Sequence, residues 1–120
     1  MKLSTIQKRN NLNNVNRCGI VGPGNAFHQY EVVSGADETG DSVALINFQC
    51  GPRLAEGSVS GVLDGDLLEI VRDRLSCFQK GDYATRENAI ALTHIEEALL
   101  WMAKRADDRA ERGVLGTLTK

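Results

Sequence analysis

The stretch Asp64 to Gly81, DGDLLEIVRDRLSCFQKG, followed by Thr85 to Gly113, TRENAIALTHIEEALLWMAKRADDRAERG, decides the fold. In the first run Leu68, Val71, Leu75 and Phe78 recur at three and four residues, the period of one helix face. Asp66 and Glu69 stand at capping-box spacing, with Asp in place of Ser, and Gly81 ends the run. In the second run Thr85 is the expected cap, and Ala89, Leu92, Ile95, Glu96, Leu99, Met102 and Ala106 mark an inner stripe that Gly113 stops. Roughly 27 residues at about 1.5 Å each make a rod about 40 Å long. The first helix is only about half of that, so the far part of the second overhangs it. Leu99, Leu100 and Trp101 carry apolar side chains on more than one face of this overhang. A helical hairpin with a small ribbon encloses a core worth no more than ~3–5 kcal/mol, so homo-oligomerisation through the long helices is expected.

Ahead of the hairpin the pattern changes. Residues 1–21 read as an arm, flexible or opening as a short, weakly ordered helix, with Asn10, Asn11, Asn13 and Asn14 close together. Residues 22–61 read as a β-ribbon and Gly-rich connector, and residues 62–120 as the helical hairpin domain. Gly22-Pro23-Gly24-Asn25 is a turn signal; Ala26 to Val33 reads as a half-buried strand, Ser34 to Ser42 as a polar loop, and Val43 to Gln49 as a strand apolar on both faces. These two strands form a ribbon that is marginal alone and needs a partner surface. Cys50 to Gly61 has the glycines for an anion nest. The expected fold is therefore α+β: an N-terminal two-stranded β-ribbon followed by a long antiparallel α-helical hairpin, oligomeric.

Composition narrows the function. The chain has 120 residues with 14 Lys and Arg against 16 Asp and Glu, a formal charge of −2, which argues against a general nucleic-acid coat or an anionic-lipid binder. It has no apolar run of membrane-spanning length and no secretory core near its start, so a cytoplasmic location is expected. Cys18, Cys50 and Cys77 are an odd number without a Cys-x-x-Cys pair, and His28 and His94 are the only histidines. Free thiols, rather than a disulfide framework or a zinc site, are the expectation.

The arginines crowd two regions: Arg72, Arg74 and Arg86 around the hairpin junction, and Arg105, Arg109 and Arg112 near its end. Arg suits bidentate recognition of phosphate or carboxylate, and at helical spacing it equally suits pairing with Glu69, Asp73, Asp107, Asp108 and Glu111. No Walker loop, dinucleotide fingerprint, nucleophile elbow or His-Glu-x-x-His motif occurs. The acid–base cluster His94, Glu96 and Glu97, facing Glu69 and Asp73, would allow a helical Mg²⁺-dependent nucleotide hydrolase. The competing reading pairs Glu96 or Glu97 with Arg72, Arg74 or Arg86 across the hairpin.

Taken in order, Gly22-Pro23-Gly24-Asn25-Ala26-Phe27-His28, Phe48-Gln49-Cys50-Gly51-Pro52-Arg53, Asp73-Arg74-Leu75 with Phe78-Gln79, Arg86-Glu87-Asn88-Ala89, Glu96-Glu97-Ala98-Leu99-Leu100-Trp101, Arg112-Gly113-Val114 and Gly116-Thr117 resemble one family. It is the phage anti-Thoeris cyclic ADP-ribose sponges, whose helical hairpin is shared with phage anti-CBASS cyclic oligonucleotide sponges. The resemblance implies a small non-catalytic protein, without cofactor or metal, that sequesters cyclic nucleotide immune signals in the infected bacterial host cytoplasm. Its implied partners are a cyclic ADP-ribose-type molecule, a cyclic trinucleotide at a second site, and copies of itself in a dimer or a hexamer of dimers, with neither DNA nor membrane. Carried onto this chain, it makes Phe78 the base-stacking ring, Asn88 a contact to base or ribose, Arg105 and Arg109 the phosphate clamp from the neighbouring chain, and Arg53 a further phosphate contact. Gly57, Ser60 and Gly61 form the candidate second-site loop, where Ser58-Val59-Ser60-Gly61 replaces the family's usual Gly-Val-Asn-Gly.

The residue types suit these roles. The turn at Gly81 brings Phe78 near Asn88, and Arg105 and Arg109 lie one helical turn apart, where an antiparallel neighbour would present them to that junction. A stacked base supplies ~1–3 kcal/mol and a charged hydrogen bond ~1.5–3, so one chain's ring and amide fall short of the ~12 kcal/mol of nanomolar capture. The bland readings make Phe78 a core position and pair Arg105 and Arg109 with Asp108 or Glu111. A Mg²⁺-dependent hydrolase and a structural or partner-binding phage protein are the alternative functions.

Overall fold

The computed structural model describes residues 1–6, 12–35, 40–52, 54 and 56–116. The chain divides into two compact units, Met1–Val62 and Leu63–Lys120.

The first unit is a three-stranded antiparallel sheet in the order β1 (Asn13–Cys18), β2 (Gln29–Ser34), β3 (Ser42–Asn47). The ribbon expected from the sequence is β2 and β3, with Gln29 opposite Asn47 and a bulge between Val32 and Val33. The third strand comes from the segment read as an arm: Asn13 to Cys18 pair in register with Ser34 to Gln29. Asn is a poor strand former, and here tertiary partners override that preference. Asn14 is buried opposite Val33, and its Nδ2 donates to the Gly35 carbonyl at 3.0 Å. Backbone bonds from Leu3 to Val15 and from Arg17 to Met1 bring the first residues against the outer side of β1.

One sheet face gathers Val15, Tyr30, Val32, Ala44 and Ile46, and the Tyr30 and Phe48 rings meet edge-on at 5.7 Å. β3 is apolar on both faces as the sequence reads, but in the single chain one of them is uncovered, with Val43 and Leu45 exposed. Beyond β3 the chain closes a loop: Cys50 and Val59 exchange backbone bonds at 2.8 Å, and Gln49 and Val62 are tied at 2.9 Å. Gly61 belongs at the neck of this loop, since a Cβ there would lie 2.5 Å from the Asn47 carbonyl oxygen.

The second unit is the helical hairpin, α1 (Asp64–Gln79) and α2 (Arg86–Glu111). α1 begins differently from the expected Asp66–Glu69 box: Asp66 is the third residue of the helix and its carboxylate accepts from the Leu63 N–H at 2.8 Å. α2 begins as expected, with Thr85 Oγ1 accepting from the Asn88 N–H at 3.0 Å. It ends at a Schellman turn, where Gly113 has φ +72° and the Gly113 and Val114 N–H groups donate to the Ala110 and Arg109 carbonyls.

Leu68, Leu75 and Phe78 of α1 and Leu92, Ile95 and Leu99 of α2 are half-buried. Val71 and Met102, assigned to the inner stripes by periodicity, are exposed. Leu99 is the neighbour that a Cβ on Gly65 would touch, so the start of α1 lies beside the middle of α2. From Leu99 to Glu111 α2 continues for about 18 Å without α1 beside it. Leu100 and Trp101 are each 70% exposed at the start of that extension.

Removing the α2 cap tests this local account: Thr85→Ala is expected to lower the unfolding free energy by about 1 kcal/mol, and Thr85→Ser by less. Chemical denaturation of the three proteins measures it.

Candidate functional site at the hairpin bend

The bend between the helices is held by one side chain. The Gln79 amide donates to the Thr85 carbonyl at 3.1 Å and accepts from the Thr85 N–H at 3.0 Å, while Thr85 caps α2. Gly81 donates to the Phe78 carbonyl and accepts from the Ala84 N–H, which tightens the chain between the two helices. With both helix ends joined through Gln79, Phe78 on the last turn of α1 and Asn88 on the first turn of α2 belong to one rigid frame. Both are half-buried.

Phe78 has two neighbours that periodicity did not single out for this site. The Arg74 guanidinium carbon lies 5.4 Å from the ring centre, over the ring, and Tyr83 meets the ring at 6.4 Å with planes inclined by 70°. The signal for Arg74 was present as i,i+4 spacing to Phe78 on α1. Tyr83 carries no such signal, because its approach to the ring depends on the path of the bend.

Arg105 and Arg109 are at the other end of α2. Asn88 and Arg105 are separated by about 25 Å along the helix axis, so within one chain the guanidinium pair does not reach the ring and amide. The two arginines also differ from each other. Arg105 is exposed, whereas Arg109 is 9% exposed and its Nη2 donates to the Val114 carbonyl at 3.0 Å inside the Schellman turn. Asp108 faces Arg112 at 3.6 Å.

Midway along the hairpin, Arg72 bridges the helices. Its Nε donates to Glu96 at 2.9 Å and its Nη1 to Glu69 at 3.3 Å. The hydrogen bond to Glu96 and then that to Glu69 hold the guanidinium pKa above its ordinary value. Two of the carboxylates required for a Mg²⁺ site are thus turned onto a guanidinium. Glu97 faces His94 at 3.9 Å on the same helix, and no group of three or more His, Cys, Asp or Glu suited to a metal occurs among the described residues.

Arg53 lies outside the described residues, as does Thr117. In the candidate second-site loop Gly57 and Ser60 are exposed and Gly61 is half-buried. The Cys50, Val59 and Gly61 N–H groups donate within the first unit, Gly61 to Gln49 Oε1 at 3.4 Å, so these three amides already have acceptors.

Comparison with known proteins places this hairpin among relatives. A family model described as Acb2/Tad1, hairpin domain, matches residues 41–107, which is more than half of the chain. The match includes Phe78, Asn88 and Arg105 and ends two residues before Arg109. The chain is also 46% identical over 78 residues to Thoeris anti-defense 1 of Bacillus phage SBSphiJ7, a match covering 65% of this chain and 54% of that protein. The chain therefore spans about half the length of this relative.

Millimolar Mg²⁺ is expected to leave the thermal midpoint unchanged, since Arg72 already lies between Glu69 and Glu96. A rise in the midpoint that Glu96→Gln abolishes would assign a cation site there instead.

Proposed function

The chain belongs to the Acb2/Tad1 hairpin-domain family, and from that premise we propose that it is a non-catalytic phage anti-defence sponge that captures a cyclic nucleotide signal of the cyclic ADP-ribose type. The relative named Thoeris anti-defense 1 supports an anti-defence role. The observation that carries the ligand class is the bend, where an aromatic ring and a side-chain amide are held on one clamped frame within the matched residues. A planar base stacks on Phe78 and is read by Asn88, whose side-chain amide has no hydrogen-bond partner among the described residues.

Phosphates are then met by Arg105, and by Arg109 where it turns outward from its cap. Because about 25 Å of helix separates these groups from the bend, they come from a second copy lying antiparallel. The exposed Leu100 and Trp101 on the uncovered length of α2 support such pairing. Binding without chemistry lowers the free signal below the level that triggers the host effector. The loop carrying Gly57, Ser60 and Gly61 is the place for a cyclic trinucleotide in the same reading.

The test is to incubate the protein with a cyclic ADP-ribose isomer, denature it by heat and analyse the released material. Intact ligand supports the sponge, a cleaved product supports the hydrolase, and failure to bind any cyclic nucleotide leaves a structural or partner-binding role. Arg105→Ala is expected to weaken binding at least about tenfold, the worth of one charged hydrogen bond, with assembly and melting unchanged. Arg109→Ala is expected to lose both affinity and thermal stability, because the Val114 carbonyl loses its donor. Calorimetric titration and thermal melts of the two variants separate these effects.

A further inference from the structure

Arg74 is the cation at the bend whose position the clamp and the family resemblance leave unexplained. It is exposed, and among the described residues its guanidinium makes no hydrogen bond or ion pair, although Asp73 is adjacent and Asp82 lies in the bend. It stays over the Phe78 ring at 5.4 Å, with Tyr83, 77% exposed, on the same ring. An exposed cation over an aromatic face is held only weakly, by ~0.5–1 kcal/mol, so it moves readily to a stronger acceptor. A nucleotide brings such an acceptor: its base stacks on an aromatic ring while its phosphate hangs beside the same ring.

We propose that Arg74 and Tyr83 are ligand-binding residues of the bend, Arg74 as a phosphate contact supplied by the same chain as Phe78, and Tyr83 as a second aromatic wall for the base. The inference rests on the reading of the bend as a nucleotide site. Its consequence is that one chain's half-site already recognises base and phosphate together.

Adenosine and adenosine 5′-monophosphate are the probes, titrated into the full chain and followed by chemical-shift changes at the Phe78 and Tyr83 rings. The monophosphate is expected to bind about fivefold more tightly than the nucleoside, less than a buried charged hydrogen bond would give because the bend is open to water. In Arg74→Gln that preference disappears while nucleoside binding is retained, and Arg74→Lys restores part of it. Tyr83→Ala weakens both probes equally, with the monophosphate preference kept. If both probes shift the Phe78 resonances and Arg74→Gln and Tyr83→Ala bind like the parent, this inference is wrong and the nucleotide reading of the bend survives. If neither these probes nor a cyclic ADP-ribose isomer shifts them, the reading of the bend itself fails. None of these side chains makes a hydrogen bond that holds the bend, and retained melting temperatures verify that the variants are folded.

Discussion

A helix of 16 residues can lie beside only part of a helix of 26, and much of the second unit follows from that mismatch. Burial of apolar surface is the main stabilising term available to so small a unit, and α1 uses its inner face against the first half of α2. The second half of α2 has no helix beside it within the hairpin. Leu100 and Trp101 sit where the cover ends, with Glu97 and Lys104 on the same surface. The same mismatch separates the ring and amide at the bend from the arginines of the far end. A site using both ends is necessarily built from two chains, and this links the oligomerisation and the ligand binding proposed for this protein.

The bend illustrates how little is needed to organise the proposed half-site. One amide, Gln79, satisfies a donor and an acceptor of Thr85, and Thr85 in turn satisfies an orphan amide of α2. The chain entropy of the connection is thereby removed before any ligand arrives, and Phe78, Tyr83 and Asn88 are presented from a short, fixed turn. Arg72 adds a second tie between the helices through Glu96, on an exposed surface where its contribution is screened by salt. At the far end the Schellman turn takes Arg109 into its own hydrogen bonding, leaving Arg105 as the exposed member of the pair.

Much of the helical unit was legible as sequence. The 3.6-residue period, Thr85 before α2 and Gly113 after it are local signals, and local signals survive folding because they act through neighbouring backbone groups. Phe78, Asn88 and Arg105 were candidates through the resemblance to a known family, and their positions along the two helices suit the roles that the resemblance implies. Arg74 carried a spacing signal, four residues before Phe78 on α1, whereas Tyr83 carried none, since a ring contact across a bend depends on side-chain directions that no spacing rule specifies. The inner stripes also blurred at Val71 and Met102, where period alone cannot tell which edge of an apolar face meets the partner helix.

In the sheet unit the division falls elsewhere. Alternation in Tyr30 to Val33 and Val43 to Phe48 marks β2 and β3, but Asn13 to Cys18 carries no apolar alternation to mark β1. That strand exists because β2 offers a free edge of backbone donors and acceptors and because Gly35 accepts the Asn14 amide. The amino-acid sequence alone thus determined the helices, both ends of α2, the stop of α1 and their unequal lengths, all set by interactions within a few residues, while the start of α1 fell at Leu63 rather than at the expected Asp66–Glu69 box. Tertiary structure alone decided the third strand, the approach of Tyr83 to the Phe78 ring and the capture of Arg109 in its cap, because each depends on which groups meet in space rather than on how they are spaced along the chain.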